Sequence, residues 1–327
     1  MPAKTPVVLG LLLSLAGALT HGHAATLTVG PGQSLQQALS SMSGGDTLII
    51  KGGTYAEGNL TPPSGTTIQA APGATVVIQP DNQGVDTIFD FRSGSRDITI
   101  DGVVLDAGGK TGFPVYGAAD VAGITIKNSE IKGGRHSGLL LAGSNWNIQG
   151  NYIHDNGTDT TYDHGIYFYG DNSRIVGNRL EHNACFNIQN YGSSGGGYYN
   201  IYEGNLFTAS GCGWVASTGS DITFRGNIMV DDGTQNPAWA MQAYVDNMVI
   251  EGNTFVNLSV ITRGNSGIVI RNNQVCNGQL NAPGTEQSGN RFSCDGLPAL
   301  DRVPGASTPP PTATLPAPRN LRVVSQP

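Results

Sequence analysis

Four of the six histidines in this chain fall between residues 136 and 182: His136, His154, His164 and His182. Near them in the sequence stand Arg135, Tyr162, Asp163, Tyr167, Tyr169, Gln189 and Tyr191, with Asp155 and Glu181 close by. A neutral imidazole accepts a proton near pH 7, and a guanidinium offsets negative charge that develops beside it. The cluster therefore supplies a neutral-pH proton acceptor beside phenols and a cation. Tyr167, Tyr169, Gln189, Tyr191 and His182 would line the bound molecule, because phenol faces stack on flat apolar surfaces and their hydroxyls bond polar ones. Asp155, Asp159 and Asp163 offer oxygen ligands for a calcium ion, with Asp155 and Asp163 as the metal candidates, although their spacing fits no specific calcium loop. Asn, Asp and His also bond local backbone groups in turns, so each residue taken singly has a structural reading as well.

Whether these side chains meet depends on register, and the sequence supplies one. NWNIQGNYI (145–153), SRIVGNRL (173–180) and NIYEGNLF (200–207) each place an apolar residue, two spacers, an Asn and another apolar residue in one order. The phased residues are Val103, Ser129, Asn151, Asn178, Asn205, Asn227, Asn253 and Asn273, at steps of 26, 22, 27, 27, 22, 26 and 20. A repeat of this length made of short strands marks a solenoid. Gly-Asn in successive coils marks a tight corner with left-handed backbone, and stacked Asn side chains can bond to one another. The reading is all-β: a single-stranded right-handed parallel β-helix. Ile175 and Ile201 are expected to point inward. Aligning coils on their glycines stacks Ser137-Gly-Leu-Leu-Leu on His164-Gly-Ile-Tyr-Phe, and Phe186-Asn-Ile-Gln-Asn-Tyr-Gly192 on His164–Gly170. His136 then lies beside Asp163 and Tyr167 beside Gln189, while His154, Asp155, Glu181 and His182 fall in a loop one corner earlier.

Charged residues make up only 13% of the chain and 47 residues are glycine, as recurrent tight turns require. A net charge of −7 argues against nucleic acid as a partner, which would call for a basic stripe. It also disfavours an acidic polymer unless a local basic strip or bound cation receives it. Residues 1–24 read as a secretory signal: Lys4, the apolar run 7–19 and Gly22-His23-Ala24 before the expected cut. That run is too short to cross a bilayer. Residues 34–42 form the one helix candidate, with Ser34 and Gln37 as a capping box, and would cover the open first coil. Residues 25–302 form the solenoid domain, and 303–327 are a Pro/Thr-rich linker and disordered tail.

Four cysteines in an exported chain suggest disulfides. Cys276 and Cys294 flank a C-terminal loop and are expected to bridge. Cys185 and Cys212 are one repeat apart, so a bridge is feasible, with stacked free thiols as the alternative. No zinc spacing is present.

TLTVGPGQSLQQALSSMSGGDTLIIKGGTYAEG at the N-terminus, followed by GNYIHDN, DHGIYFYG and VGNRLEHN, resembles the right-handed β-helix repeat proteins of the pectate-lyase-like superfamily over residues 26–300. The motifs are specific for the fold and not for one activity. The resemblance implies a polysaccharide-acting protein, with lyase action on a uronate-containing chain by β-elimination as the leading reading. In that reading His164 or Tyr162 takes the C5 proton, and Arg135, His136 or a bound Ca²⁺ steadies the carboxylate. Glycoside hydrolysis, C5 epimerisation and non-catalytic glycan binding are the alternatives on the same scaffold. Asp163-His164-Gly165 matches only part of the Gly-His-Gly segment of polygalacturonase-like hydrolases, and no acid pair accompanies it. Tyr162-Asp163-His164 lacks the proline of the Asp-Pro-His motif of mannuronan epimerases. The Lys/Arg pair of chondroitinase-B-like lyases has no counterpart. A secreted monomer is expected, with a polysaccharide partner that the resemblance implies is acidic.

Overall fold

The computed structural model describes residues 24–82, 84–191, 196–231, 233 and 240–298. The segment expected to be a secretory signal, up to His23, and the residues from Ala299 onward lie outside the described residues, as does Gly192. Within them the chain winds through three parallel sheets in turn. Sheet A has 12 strands, from Thr26–Val29 to Glu286–Ser288. Sheet B has 11, from Gly53–Tyr55 to Arg291–Phe292. Sheet C has 9, from Thr87–Phe91 to Leu280–Asn281. Most strands are three or four residues long, so each offers one or two inward side chains. Ile148, Ile175 and Tyr202 stack in sheet A, Ile153, Leu180 and Phe207 in sheet B, and Ile166, Ile188 and Trp214 in sheet C, all fully buried. Ile175 is inward as expected. Ile201 is not: Ile175 pairs with Tyr202, and Ile201 pairs outward with Arg174.

Three stacks of left-handed corners hold the sheets apart. Between sheets A and B the corner residue is Gly150, Gly177 or Gly204, each with φ near +63°. The Asn that follows points inward. The Oδ1 of Asn178 accepts from Asn151 N–H and Nδ2, at 2.9 and 3.0 Å, and its Nδ2 donates to Ile148 O and Asn205 Oδ1. The ladder runs on through Asn227, Asn253 and Asn273 to Asn290, and Ser129 joins it at the other end. Each asparagine satisfies backbone groups that a corner would otherwise bury without partners, which fixes the register of successive coils.

The helix at Leu35–Ser40 is shorter than the sequence suggests and buries Leu35, Ala38 and Leu39 over the first coil. Ser34 Oγ accepts from Gln37 N–H. The other free donors of its first turn, Leu35 and Gln36 N–H, go to Glu57, as does the Ser34 hydroxyl. Both disulfides are formed. Cys276–Cys294 ties down the last coil, and Cys185–Cys212 bridges two adjacent coils. Among the described residues no helix is long and apolar enough to cross a membrane.

Candidate functional site

Sheet C and the loops that enter it carry the residues singled out by the sequence. The observed pairing sets Leu139 on Ile166 and Ile166 on Ile188, so Ser137 stacks on His164 and Tyr167 on Gln189. Tyr167 and Gln189 point outward in one row. Two residues further along each strand, Tyr169 and Tyr191 form a second row. Arg135, His136 and Asp163 sit before the strands, at the opposite edge of the sheet.

At that edge the loop 157–163 folds onto the Asp163 carboxylate. Its Oδ2 accepts the N–H groups of Thr158 and Asp159 at 2.8 and 2.7 Å, and the residue is 4% exposed. Its Oδ1 lies 3.5 Å from His136 Nδ1. The His136 side chain is 49% exposed and its ring leans on Phe113, 5.7 Å between centroids. Asp163 thus faces the Nδ1 edge of the imidazole, and Nε2 has no protein partner among the described residues. Arg135 is exposed beside it, and no carboxylate among the described residues pairs with its guanidinium. Tyr162 stands 74% exposed on the same loop. Cys212 Sγ lies 3.7 Å from Thr160 O, so the Cys185–Cys212 bridge supports the base of that loop.

His164 occupies a different environment from the one the sequence suggests. It is 1% exposed and its Nδ1 accepts Phe186 N–H at 3.3 Å, while Gln189 hydrogen-bonds its ring. Burial pushes its pKa down to about 4, against smaller upward pulls from Asp163 and Gln189. It is neutral near pH 7, yet its basic lone pair is already used and shielded. Its ring packs edge-on against Tyr167, 5.1 Å between centroids, and so supports the outer face from below. Tyr167 in turn packs on Tyr169 at 4.8 Å and on Tyr191 at 6.2 Å. Burial raises the phenol pKa of Tyr167, and that of Tyr169 is pushed up to about 12 by burial and the neighbouring phenols. All three hydroxyl-bearing rings form one half-buried platform.

His154, Asp155, Glu181 and His182 belong to sheet B and its corner, not to this face. Asp155 and His182 both have φ of +52°, the left-handed position between sheets B and C, where a short polar side chain is tolerated. His154 places Nδ1 2.6 Å from Asp155 and Nε2 3.2 Å from Glu130. The hydrogen bond from His154, followed by Lys132, holds the Glu130 carboxyl down to about 2. Burial pushes Glu181 up, but hydrogen bonds from Tyr152, Arg179 and Thr208 outweigh it. Sequence reasoning passed over Tyr152, Arg179, Glu130 and Lys132, although Glu130, Tyr152 and Arg179 recur at one phase of the repeat and Lys132 shares the phase of His154 and Glu181. Glu130, Lys132, His154, Asp155, Arg179 and Glu181 all pair within this cluster, which ties the outer faces of three coils together.

Asp155 and Asp163, the calcium candidates, lie apart, one at the corner after sheet B and the other at the edge of sheet C. Asp155 serves His154, both oxygens of Asp163 face donors, and no trio of His, Cys, Asp or Glu suited to a metal occurs among the described residues.

The family profile described as a right-handed beta helix region matches residues 91–232. Pectate lyase Pel9A superposes with a TM-score of 0.52 at 15% identity, over 87% of this chain and 82% of that one. The chain is a right-handed parallel β-helix protein. A polygalacturonase from Erwinia carotovora ssp. carotovora gives 0.54 at 12% identity, over 83% and 96% of the two chains. PfbA, a surface adhesin of Streptococcus pneumoniae, gives 0.50 at 12%, over 79% and 85%. A search of curated proteins by sequence finds no match. At these identities the likeness of the β-helix to its neighbours is one of fold.

Proposed function

We propose that this β-helix is an exported polysaccharide lyase that cleaves a uronate-containing chain by β-elimination on the outer face of sheet C. The observation that carries the reading is the His136–Asp163 pair beside the unpaired Arg135, at the edge of a tyrosine platform. In this reading His136 Nε2 removes the C5 proton, which is acidic because it lies next to the uronate carboxylate. Asp163 keeps the proton of His136 on Nδ1 and steadies the imidazolium that results. The Arg135 guanidinium bonds the carboxylate and offsets the charge that spreads into it. The electron pair of the C5–H bond forms the C4–C5 double bond, the C4–O bond breaks, and the Tyr162 hydroxyl protonates the leaving oxygen. Tyr167, Gln189 and the tyrosine pair beyond them hold the neighbouring sugars.

Two further observations support export and a carbohydrate partner: both disulfides are formed, and two of the similar structures are named as a pectate lyase and a polygalacturonase. The platform favours a second reading, a non-catalytic glycan binder, since stacked phenols without a reactive group would serve one equally. The two separate on a panel of uronate polysaccharides. The lyase reading expects unsaturated uronate ends, seen as new ultraviolet absorbance. Binding without such ends on every polymer would make the protein a binder, and neither binding nor cleavage would overturn both.

A further inference from the structure

Resting on that uronate reading, we infer that Arg263 forms a second anion subsite on sheet C, about five coils from Arg135, so that the protein selects for long uronate chains. The second outward row of the sheet continues past Tyr169 and Tyr191 through Ser217 and Tyr244 to Arg263. The Arg263 guanidinium carbon lies 4.1 Å from the centroid of the Tyr244 ring. The Tyr244 hydroxyl donates to Gln242 Oε1 at 2.9 Å, which fixes the ring under the cation. Arg263 is exposed and has no carboxylate partner among the described residues. A guanidinium held over a ring and left without a carboxylate keeps its N–H fork for a ligand, and a carboxylate fits that fork in bidentate fashion.

Charge distribution makes the position distinctive. The protein is acidic overall, at −7. On sheet A the exposed arginines are neutralised in place: Glu203 lies between Arg174 and Arg225, and Arg271 pairs with Glu251. Sheet C differs. From Leu140 to Ile261, and from Ala142 to Arg263, its outward rows carry no carboxylate among the described residues. Val215, buried between Gln189 and Gln242, interrupts neither row with charge. A polyanion crossing the face obliquely, from the edge that holds Arg135 to the second row that ends in Arg263, therefore meets arginine at both ends and neutral, hydrogen-bonding or aromatic side chains between.

The strand Ser259–Thr262 is five strands along the sheet from Leu139–Leu141, or ~24 Å at ~4.8 Å per strand. That is the axial separation alone. Arg135 precedes Ala142, the residue in line with Arg263, by seven positions, so the oblique span is longer. An oligomer must therefore exceed about six sugars, taken at roughly one strand spacing each, to touch both arginines.

The test is calorimetric titration of the intact protein with purified oligogalacturonates and oligoalginates, from trimer to decamer, at low salt. Affinity should rise sharply once the oligomer passes about six residues. Arg263→Ala should weaken binding of the decamer about tenfold and remove the step, as loss of one charge-assisted bond implies. Arg263→Lys, which keeps the charge and loses the fork, should restore it in part. A smooth length dependence that Arg263→Ala leaves unchanged would overturn the subsite while leaving the lyase reading intact. No binding of any uronate oligomer by the unaltered protein would overturn both.

Discussion

Lowering the pH should expose what His164 costs the fold. In the unfolded chain an imidazole titrates near its ordinary value of 6.5, whereas burial in the folded protein pushes this one to about 4. Between those values the unfolded state binds a proton that the native state refuses. The stability that a neutral His164 allows is therefore complete above pH 6.5, is lost as pH falls, and levels off below pH 4. At pH 4 the loss amounts to roughly 3 kcal/mol, from a shift of about 2.5 units at 1.36 kcal/mol each, reduced by half-protonation of the native ring. His164→Gln removes the titration while leaving a polar group near Phe186 N–H. Its intrinsic packing cost does not vary with pH, so the difference between the two proteins isolates the histidine. Urea titrations followed by circular dichroism at pH 7, 5.5 and 4 give that difference directly. The unaltered protein should lose roughly 3 kcal/mol more than His164→Gln between pH 7 and 4. Acidic groups such as Glu130 and Glu181 destabilise both proteins at lower pH and cancel. Parallel losses in the two would show that the imidazole is solvated, and would refute the burial argument that takes it out of the chemistry.

Two substitutions test the solenoid itself. Asn178→Leu takes the Oδ1 acceptor from Asn151 N–H and the Nδ2 donor from Ile148 C=O inside the corner. It also removes one hydrogen bond from each of the neighbouring amides, which keep Ile126 O and the residue-178 N–H as their remaining partners. It should cost roughly 4 kcal/mol by denaturant titration, and a loss under 1 kcal/mol would mean the ladder is dispensable. Ile175→Asp buries an unpaired charge and should abolish the cooperative melt. Ile201→Asp lies outward against Arg174 and should shift stability by only about 0.5 kcal/mol. Equal damage from the two would contradict the assigned parity.

Much of this was legible because one signal, Gly-Asn at each corner, sets both the repeat and the register. Once Asn151, Asn178 and Asn205 are in phase, Ser137 must stack on His164 and His136 must meet Asp163, as the structure has them. Inward or outward parity is harder to read, since adjacent apolar residues satisfy both. That is how Ile201 was placed inside when Tyr202 fills that space. Burial of a polar side chain is invisible in sequence, so His164 looked like the reactive histidine although Phe186 N–H consumes its lone pair. Asp155 and His182 looked chemical for the same reason that they suit a left-handed corner. The far end of the platform did leave a trace: Ile188-Gln-Asn-Tyr191 recurs as Met241-Gln-Ala-Tyr244 in the same register. Glu57 at the helix start left none, because its partners are more than 20 residues away.

The central claim is that His136, and not His164, takes a proton from a uronate chain. Its most direct test is the initial rate of unsaturated-end formation by His136→Ala, on whichever uronate polymer the unaltered protein cleaves, with polymer binding measured on the same samples. The rate should fall at least about a hundredfold while binding persists, the loss expected when a general base is removed. An undiminished rate in His136→Ala, or a rate abolished only in His164→Gln, would contradict it.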